Sequence, residues 1–301
     1  MKVLSFSKEL ARNILYPFCN LYLKTHPLDI NVLSLEETVF ALKDRRKSFI
    51  RYGDGELKLI NGKSLYFQEW NEELAKKLND ILYTRDENIL VGISDTFSRL
   101  NTLRQKSKVF WVINIVCNYN QYKRLPKRIW ANSFLSRPYI QYKDKNKDNF
   151  FASLRSLWED RDIVFVEGET TRNGVGNTLY QNAKSIHRII CPPNNSFSLC
   201  NVIENACKKV ATKDTLFLLS LGPTAKIIAY DLFKLGFQVF DIGHLDYEYE
   251  CFCSGTGDRV FIKGKHSAEV KDTEILSCTD ETYLSEIIWD YRNIKTTSTE
   301  N

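Results

Sequence analysis

The chain has 301 residues, 43% of them hydrophobic and 26% charged, with 42 lysines and arginines against 37 acidic residues for a formal net charge of +5. That length can bury the core of one large α/β domain or two smaller ones. The mild, scattered basic excess is compatible with an anionic small molecule but gives no footing for nucleic acid, and no run reaches the roughly 20 apolar residues needed to span a bilayer. The eight cysteines form no CxxC pair. Several sit in apolar runs, such as Cys191 after Ile189-Ile190, and read as free thiols of a reducing compartment.

The N-terminus carries no signal-peptide pattern, so a cytoplasmic protein is expected. Residues 9–24 mix Leu, Ile, Tyr and Phe with Arg12 and Lys24, the pattern of an amphipathic helix. Two readings are open for it: peripheral contact with the inner face of a membrane, or packing on the domain or in an oligomer contact. Ser34-Leu35-Glu36-Glu37 is a capping box that opens a helix with Val39, Phe40 and Leu42 on one side. Ser48–Tyr52 reads as a strand. Asn71 caps a helix whose Leu74, Leu78, Ile81 and Leu82 share a face, and Ile89–Ser94 is a buried strand ending near Asp95. Val109–Val116 suits either a strand or a buried helix. The lysine-rich run 143–147 reads as a solvated loop.

The second half alternates clearly. Asp162–Glu167 is a strand, 178–187 a helix, and Arg188–Cys191 a short strand stopped by Pro192-Pro193. Residues 198–210 look helical, Thr215–Leu221 is a strong strand, and Gly222-Pro223-Thr224 leads into a helix that ends at Gly236. Phe237–Ile242 is the next strand, 280–291 a last helix, and Thr296–Asn301 a polar tail. Alternating strands and helices imply a largely parallel, Rossmann-like α/β sheet flanked by helices. The expected layout is a helical extension over 1–30, one domain over 31–292 and a tail over 293–301.

Ligands bind beyond the carboxyl ends of parallel strands. Polar residues gather there: Asp54 and Glu56 after one strand, Asp95 after another, Glu167, then Gly222 with Thr224, then His244, Asp246, Glu248 and Glu250. In an extended backbone, Asp54 and Glu56 face one way across Gly55. Two hard oxygen ligands beside an open loop suit a divalent cation that also holds phosphate, and the competing reading is a solvated Asp-Gly turn. Gly222-Pro223-Thr224 is either a phosphate-binding helix start or plain N-terminal structure. Arg172 in the loop 168–177 can clamp phosphate or serve structure, and Asn177 can cap the next helix. Arg137 is an anion clamp or a surface ion pair. If residues 241–250 are extended, His244, Asp246, Glu248 and Glu250 share one side, either as an exposed face or as a site that deprotonates a hydroxyl or completes a metal shell. His26, His187 and His266 lack such company and read as structural.

Four ordered blocks carry a family resemblance: residues 49–56, Ser136 to Ile140, Val166 to Asn177, and Leu221-Gly222-Pro223-Thr224-Ala225 through 241–250. Over about residues 35–255 the chain resembles the GT-D fold glycosyltransferases, first known as a domain of unknown function. The resemblance implies a metal-dependent hexosyltransferase using a UDP-sugar, with Mn²⁺ or Mg²⁺ as cofactor. It further implies a glycan, lipid-linked glycan or glycoprotein acceptor in bacterial surface polysaccharide or glycoprotein synthesis. The family's Asp-x-Glu motif lands on Asp54 and Glu56 as metal ligands. Arg51, Arg137, Glu167, Arg172, Asn177, Gly222 and Thr224 become candidate substrate-binding residues, and His244, Asp246 and Glu250 candidate catalytic ones. Thr178 departs from the pattern, because relatives are expected to carry an acid after Asn177. Two other classes stay open at this point: a metal-dependent phosphohydrolase of a nucleotide or sugar phosphate, and a non-catalytic nucleotide-binding module.

Overall fold

The computed structural model describes residues 2–44, 46–265 and 277–292. His266 and the tail 293–301 lie outside the described residues. The chain opens with α1 (Lys2–Thr25), β1 (Asn31–Val32), α2 (Leu35–Leu42), β2 (Ser48–Arg51), α3 (Asp54–Ile60), α4 (Glu72–Leu82) and β3 (Ile89–Ile93). There follow α5 (Thr96–Arg99), α6 (Gln105–Cys117), α7 (Tyr119–Lys123), β4 (Ile129–Asn132), α8 (Asp148–Arg155), β5 (Asp162–Gly168) and β6 (Ser185–Cys191). The last stretch holds α9 (Cys200–Val210), β7 (Leu216–Ser220), α10 (Thr224–Lys234), β8 (Gln238–Asp241), α11 (Leu245–Cys253), α12 (Glu281–Ser285) and β9 (Ile287–Asp290).

The described strands form one nine-stranded sheet in the order β1-β4-β3-β2-β8-β7-β5-β6-β9. Every pair is parallel, as the alternating pattern predicts. Side chains alternate across the strands, so each strand feeds both faces. Phe49, Phe240, Leu218 and Phe165 stand in one row over four neighbouring strands. They pack with α2, α8 and α11 through Val39, Phe151, Leu154 and Leu245. Ile50, Val164, Phe217 and Val239 face the other way and pack with Leu74 and Leu78 of α4, Ile203 of α9 and Ile228 of α10. Each such buried side chain contributes about 1.5–3 kcal/mol.

The caps form as the sequence predicts. Ser34 Oγ accepts the Glu37 N–H at 3.0 Å, Glu37 Oε2 accepts the Ser34 N–H at 2.7 Å, and Asn71 Oδ1 accepts the Leu74 N–H at 3.0 Å. The ambiguous Val109–Val116 run is helical, inside α6. All eight cysteines are unpaired, four of them buried.

Several expectations are corrected. Residues 178–187 are turns leading into β6, not a helix. Asn177 Oδ1 takes the Leu179 N–H and the Trp158 indole takes the Leu179 carbonyl, so the groups a helix needs are committed elsewhere. Of 280–291 only Glu281–Ser285 is helical. Ile287–Asp290 joins β6 as an edge strand, fixed where the Arg188 N–H bonds the Glu286 carbonyl at 2.8 Å. Neither 54–56 nor 245–250 is extended; each lies in the opening turns of a helix. The run 143–147 is not wholly solvated, because Lys147 is buried over the Tyr142 ring and Lys145 bonds the Tyr139 carbonyl at 2.6 Å.

The chain leaves β2 toward β3 on one side and leaves β8 toward the opposite edge. This makes the β2/β8 border the topological switch point, with a crevice at its carboxyl end. Gly92, paired with Arg51 across β2 and β3, sits so tightly that a Cβ there would lie 2.9 Å from Phe49 Cε2 and 3.1 Å from the Ser133 backbone nitrogen. Gly92→Ala should therefore cost about 1–3 kcal/mol of stability by overpacking. Urea unfolding measures this, and an unchanged midpoint would show slack in the sheet.

Candidate active site

A cavity of about 920 Å³ opens at the β2/β8 switch point. It is lined by Arg12, Arg51, Lys58, Arg104, Lys106, Arg137, Lys226 and Arg259, eight cations, against the three carboxylates of Asp54, Glu56 and Asp258. Concentrated charge of one sign in a concave site attracts anions, although the chain as a whole is only mildly basic. Phe67, Phe110, Trp111 and Phe134 supply apolar wall.

The floor is built by strand ends. Arg51 closes β2 and donates from Nε to Asp241 Oδ1 of β8 at 3.1 Å. Lys226, fully buried on the first turn of α10, places Nζ 2.9 Å from Glu56 Oε1 and 2.9 Å from Asp241 Oδ2. It also donates to the Gly222 carbonyl at 3.0 Å. Glu56 Oε2 accepts the Gly53 N–H at 2.8 Å, which starts α3 at Asp54. Burial pushes the Glu56 carboxyl up, but Lys226, Arg51 and the Gly53 N–H outweigh it and hold the group below the usual carboxylate range. Asp54, more exposed, meets Lys58 one turn on at 2.6 Å. The turn after β8 passes under Arg51 at Gly243, where φ is +47° and a Cβ would overlap the guanidinium. Glycine is required there on both counts.

Of the candidate residues, Arg51, Asp54, Glu56, Arg137, Gly222 and His244 line this cavity. Glu167, Arg172, Asn177, Thr224, Asp246 and Glu250 do not. Glu167 is fully buried, bound by Arg188 Nη1 at 2.7 Å and by the backbone and side-chain N–H groups of Asn173, both at 2.8 Å. Asp246 and Glu250 lie one turn apart on α11 and share Lys265 Nζ, at 2.5 and 3.0 Å. Asn177 Nδ2 bonds both at 2.8 Å, so it clasps α11 rather than capping a helix. Arg172 is buried, with φ of 50° in the loop 168–177, and Thr224 is fully buried at the start of α10. Asp95 is buried against the Tyr142 hydroxyl and Arg99. At the divergent position, Thr178 shares a hydrogen bond with the Tyr249 hydroxyl at 2.8 Å.

The sequence reading misses Lys226 and Asp241. One signal for Lys226 is legible: it sits between Ala225 and Ile227 in a helix turn that should be wholly apolar. Arg104, Arg259 and the aromatic wall reach the cavity only through tertiary folding and have no local signal.

The model of the glycosyltransferase GT-D fold matches residues 49–270. The chain belongs to the GT-D glycosyltransferase family. The GT-D chain is 38% identical over 263 residues to the probable glycosyl transferase Gly of Streptococcus gordonii, covering 86% of this chain and 38% of that protein. It is 39% identical over 267 residues to the glycosyltransferase GlyD of Streptococcus pneumoniae serotype 4, covering 87% of this chain and 33% of that protein. It thus spans 38% and 33% of the length of these two relatives. The solved structure of the domain of unknown function 1792, described as a distinct glycosyltransferase fold, superposes with a TM-score of 0.83 at 36% identity, covering 87% of this chain and 96% of that one. A glycosyltransferase of the same domain type from Streptococcus sanguinis gives the same TM-score and identity and is covered completely. No described helix of the GT-D chain is long and apolar enough to cross a membrane.

Glu248 steadies one wall of the GT-D cavity from behind. Its Oε2 accepts the backbone N–H groups of Tyr139 and Ile140 at 3.1 and 2.8 Å, just past Arg137. Burial pushes its carboxyl up to about 7, against the pull of Arg137, those two N–H groups and Arg259. A carboxyl raised from 4.5 to about 7 holds its proton in the folded state while the unfolded chain releases it, so stability falls as pH rises between those values. The difference amounts to about 3 kcal/mol across the window. Glu248→Gln keeps an acceptor and loses the titration, so its unfolding free energy should decline less steeply from pH 4.5 to 7 than the parent's, the remaining slope coming from other buried carboxyls such as Glu167 and Asp95. Parallel slopes in the two proteins would contradict the assignment.

Proposed function

We propose that this chain transfers a hexose from a UDP-sugar to a glycan, lipid-linked glycan or glycoprotein acceptor, using Mn²⁺ or Mg²⁺. The observation that carries this reading is the eight-to-three excess of cations over carboxylates around a cavity that also holds both members of the Asp-x-Glu pair. An enzyme of this kind must bind a diphosphate and stabilise the charge it gains as the sugar bond breaks. Membership of the GT-D family favours this over phosphate-ester hydrolysis or passive nucleotide binding.

The residues present fit a sparsely held metal. Among the described residues no group of three or more His, Cys, Asp or Glu is placed to cage an ion. Mg²⁺ commonly takes one or two carboxylates and completes its shell with water and substrate phosphate, and Asp54 and Glu56 on one cavity wall supply that set. When bound, the ion neutralises charge developing on the diphosphate leaving group. Arg51 and Arg137 orient phosphate oxygens, Arg with its planar fork being suited to them. Phe110 and Trp111 offer flat apolar surface to the base or sugar and exclude water. His244, at the head of α11, takes the proton from the acceptor hydroxyl as it attacks the sugar carbon. Eight unpaired cysteines support a reducing, cytoplasmic setting. Exposed Leu10, Ile14, Phe18 and Leu21 on α1 support peripheral contact with the inner face of a membrane, where a lipid-linked acceptor would lie.

A thermal-shift experiment tests the site. UDP and Mn²⁺ together should raise the melting temperature by more than the sum of each alone, because each completes the other's site. Asp54→Ala and Glu56→Ala should abolish the excess. A shift by UDP that needs no metal and survives both substitutions would contradict this reading.

A further inference from the structure

Lys226 is a buried cation ion-paired to the carboxylates of Glu56 and Asp241 and hydrogen-bonded to the Gly222 carbonyl. A buried ammonium persists only when it is paired. Here the pairing is balanced, since Arg51 and Lys226 face Glu56 and Asp241, two charges of each sign. The balance also involves the cavity, because Lys226, Glu56 and Arg51 all line it. Glu56 therefore has two claimants under the proposed function: the ammonium that now lies 2.9 Å from its Oε1, and the divalent cation that its carboxylate would help to hold. A divalent cation and an ammonium on one carboxylate repel each other, and the repulsion is strong where water is excluded. The lysine stem is long and flexible, and its head already stands at the cavity wall, where a bound diphosphate would offer oxygens.

The geometry points to Lys226 as an exchanging counter-ion: it holds Glu56 while no metal is bound, and turns to the substrate diphosphate when a metal takes Glu56. This rests on the functional reading above and deepens it. Two consequences follow from linkage. Lys226 weakens binding of the metal alone, and it couples metal binding to nucleotide binding, each favouring the other by the same factor.

The test is a Mn²⁺ titration followed by the electron paramagnetic resonance of free Mn²⁺, with and without UDP, on the parent, Lys226→Met and Lys226→Arg. Lys226→Met should bind Mn²⁺ alone about tenfold more tightly, bind UDP more weakly, and lose most of the mutual enhancement. Lys226→Arg keeps the cation and should keep the enhancement. Because Lys226→Met leaves two buried carboxylates facing Arg51 alone, one negative charge in excess, the double variant Lys226→Met with Asp241→Asn restores the balance and should show the same tighter Mn²⁺ binding. Mn²⁺ binding that is unchanged or weaker in both Lys226→Met proteins, with the enhancement intact, would make Lys226 a fixed structural ion and overturn the exchange while leaving the functional reading standing. A parent protein that binds neither Mn²⁺ nor UDP would overturn both.

Discussion

The site depends on one buried chain of charge, Arg51–Asp241–Lys226–Glu56, laid across the carboxyl ends of β2 and β8. Three sequence segments supply it: the strand that leads into α3, the first turn of α10, and the end of β8. None of its links could be lost alone without stranding a buried charge, which typically costs about 3–5 kcal/mol. The same links give the cavity its shape. Arg51 is drawn over β8, Gly243 makes room beneath it, and Glu56 both caps α3 and presents a carboxylate to the cavity.

A second set of buried ions does supporting work away from the cavity. Glu167, Arg188 and Glu286 tie β5 and β6 to α12, with the Arg188 guanidinium between the rings of Phe165 and Tyr283 at 4.8 and 4.7 Å. Asp246, Glu250, Asn177 and Lys265 fasten the loop after β5 to α11, whose head carries His244. The polar residues at strand ends thus divide into two populations. Arg51, Asp54, Glu56 and His244, after β2 and β8, reach the cavity, while Glu167 after β5 and Asp246, Glu248 and Glu250 on α11 hold the scaffold around it.

The parallel sheet was legible because hydrophobic runs and their spacing report strands and helices directly. The place of the candidate site was legible for the same reason, since the cavity opens where the carboxyl ends of the strands were expected to gather polar residues. What failed was local conformation at the two acidic motifs. Asp54-Gly55-Glu56 and the period-two carboxylates after His244 read as extended from their alternation, yet both are helical. Glu56 capping its own helix and Lys265 bridging Asp246 to Glu250 decide for helix. The false helix at 178–187 fails because the Trp158 indole, 21 residues away in sequence, claims the Leu179 carbonyl. Lys226 stands out in sequence only as a lysine between Ala225 and Ile227, and its role as an interior ion depends on Glu56 and Asp241, which reach it through tertiary folding.

The central claim is that the cavity at the β2/β8 switch point binds the nucleotide diphosphate together with a divalent cation. Anomalous diffraction at the manganese edge from crystals grown with UDP and Mn²⁺ tests it most directly. The account predicts a manganese peak in contact with both the diphosphate and a carboxylate of Asp54 or Glu56. A diphosphate bound outside this cavity, or a manganese ion touching neither carboxylate, would contradict it.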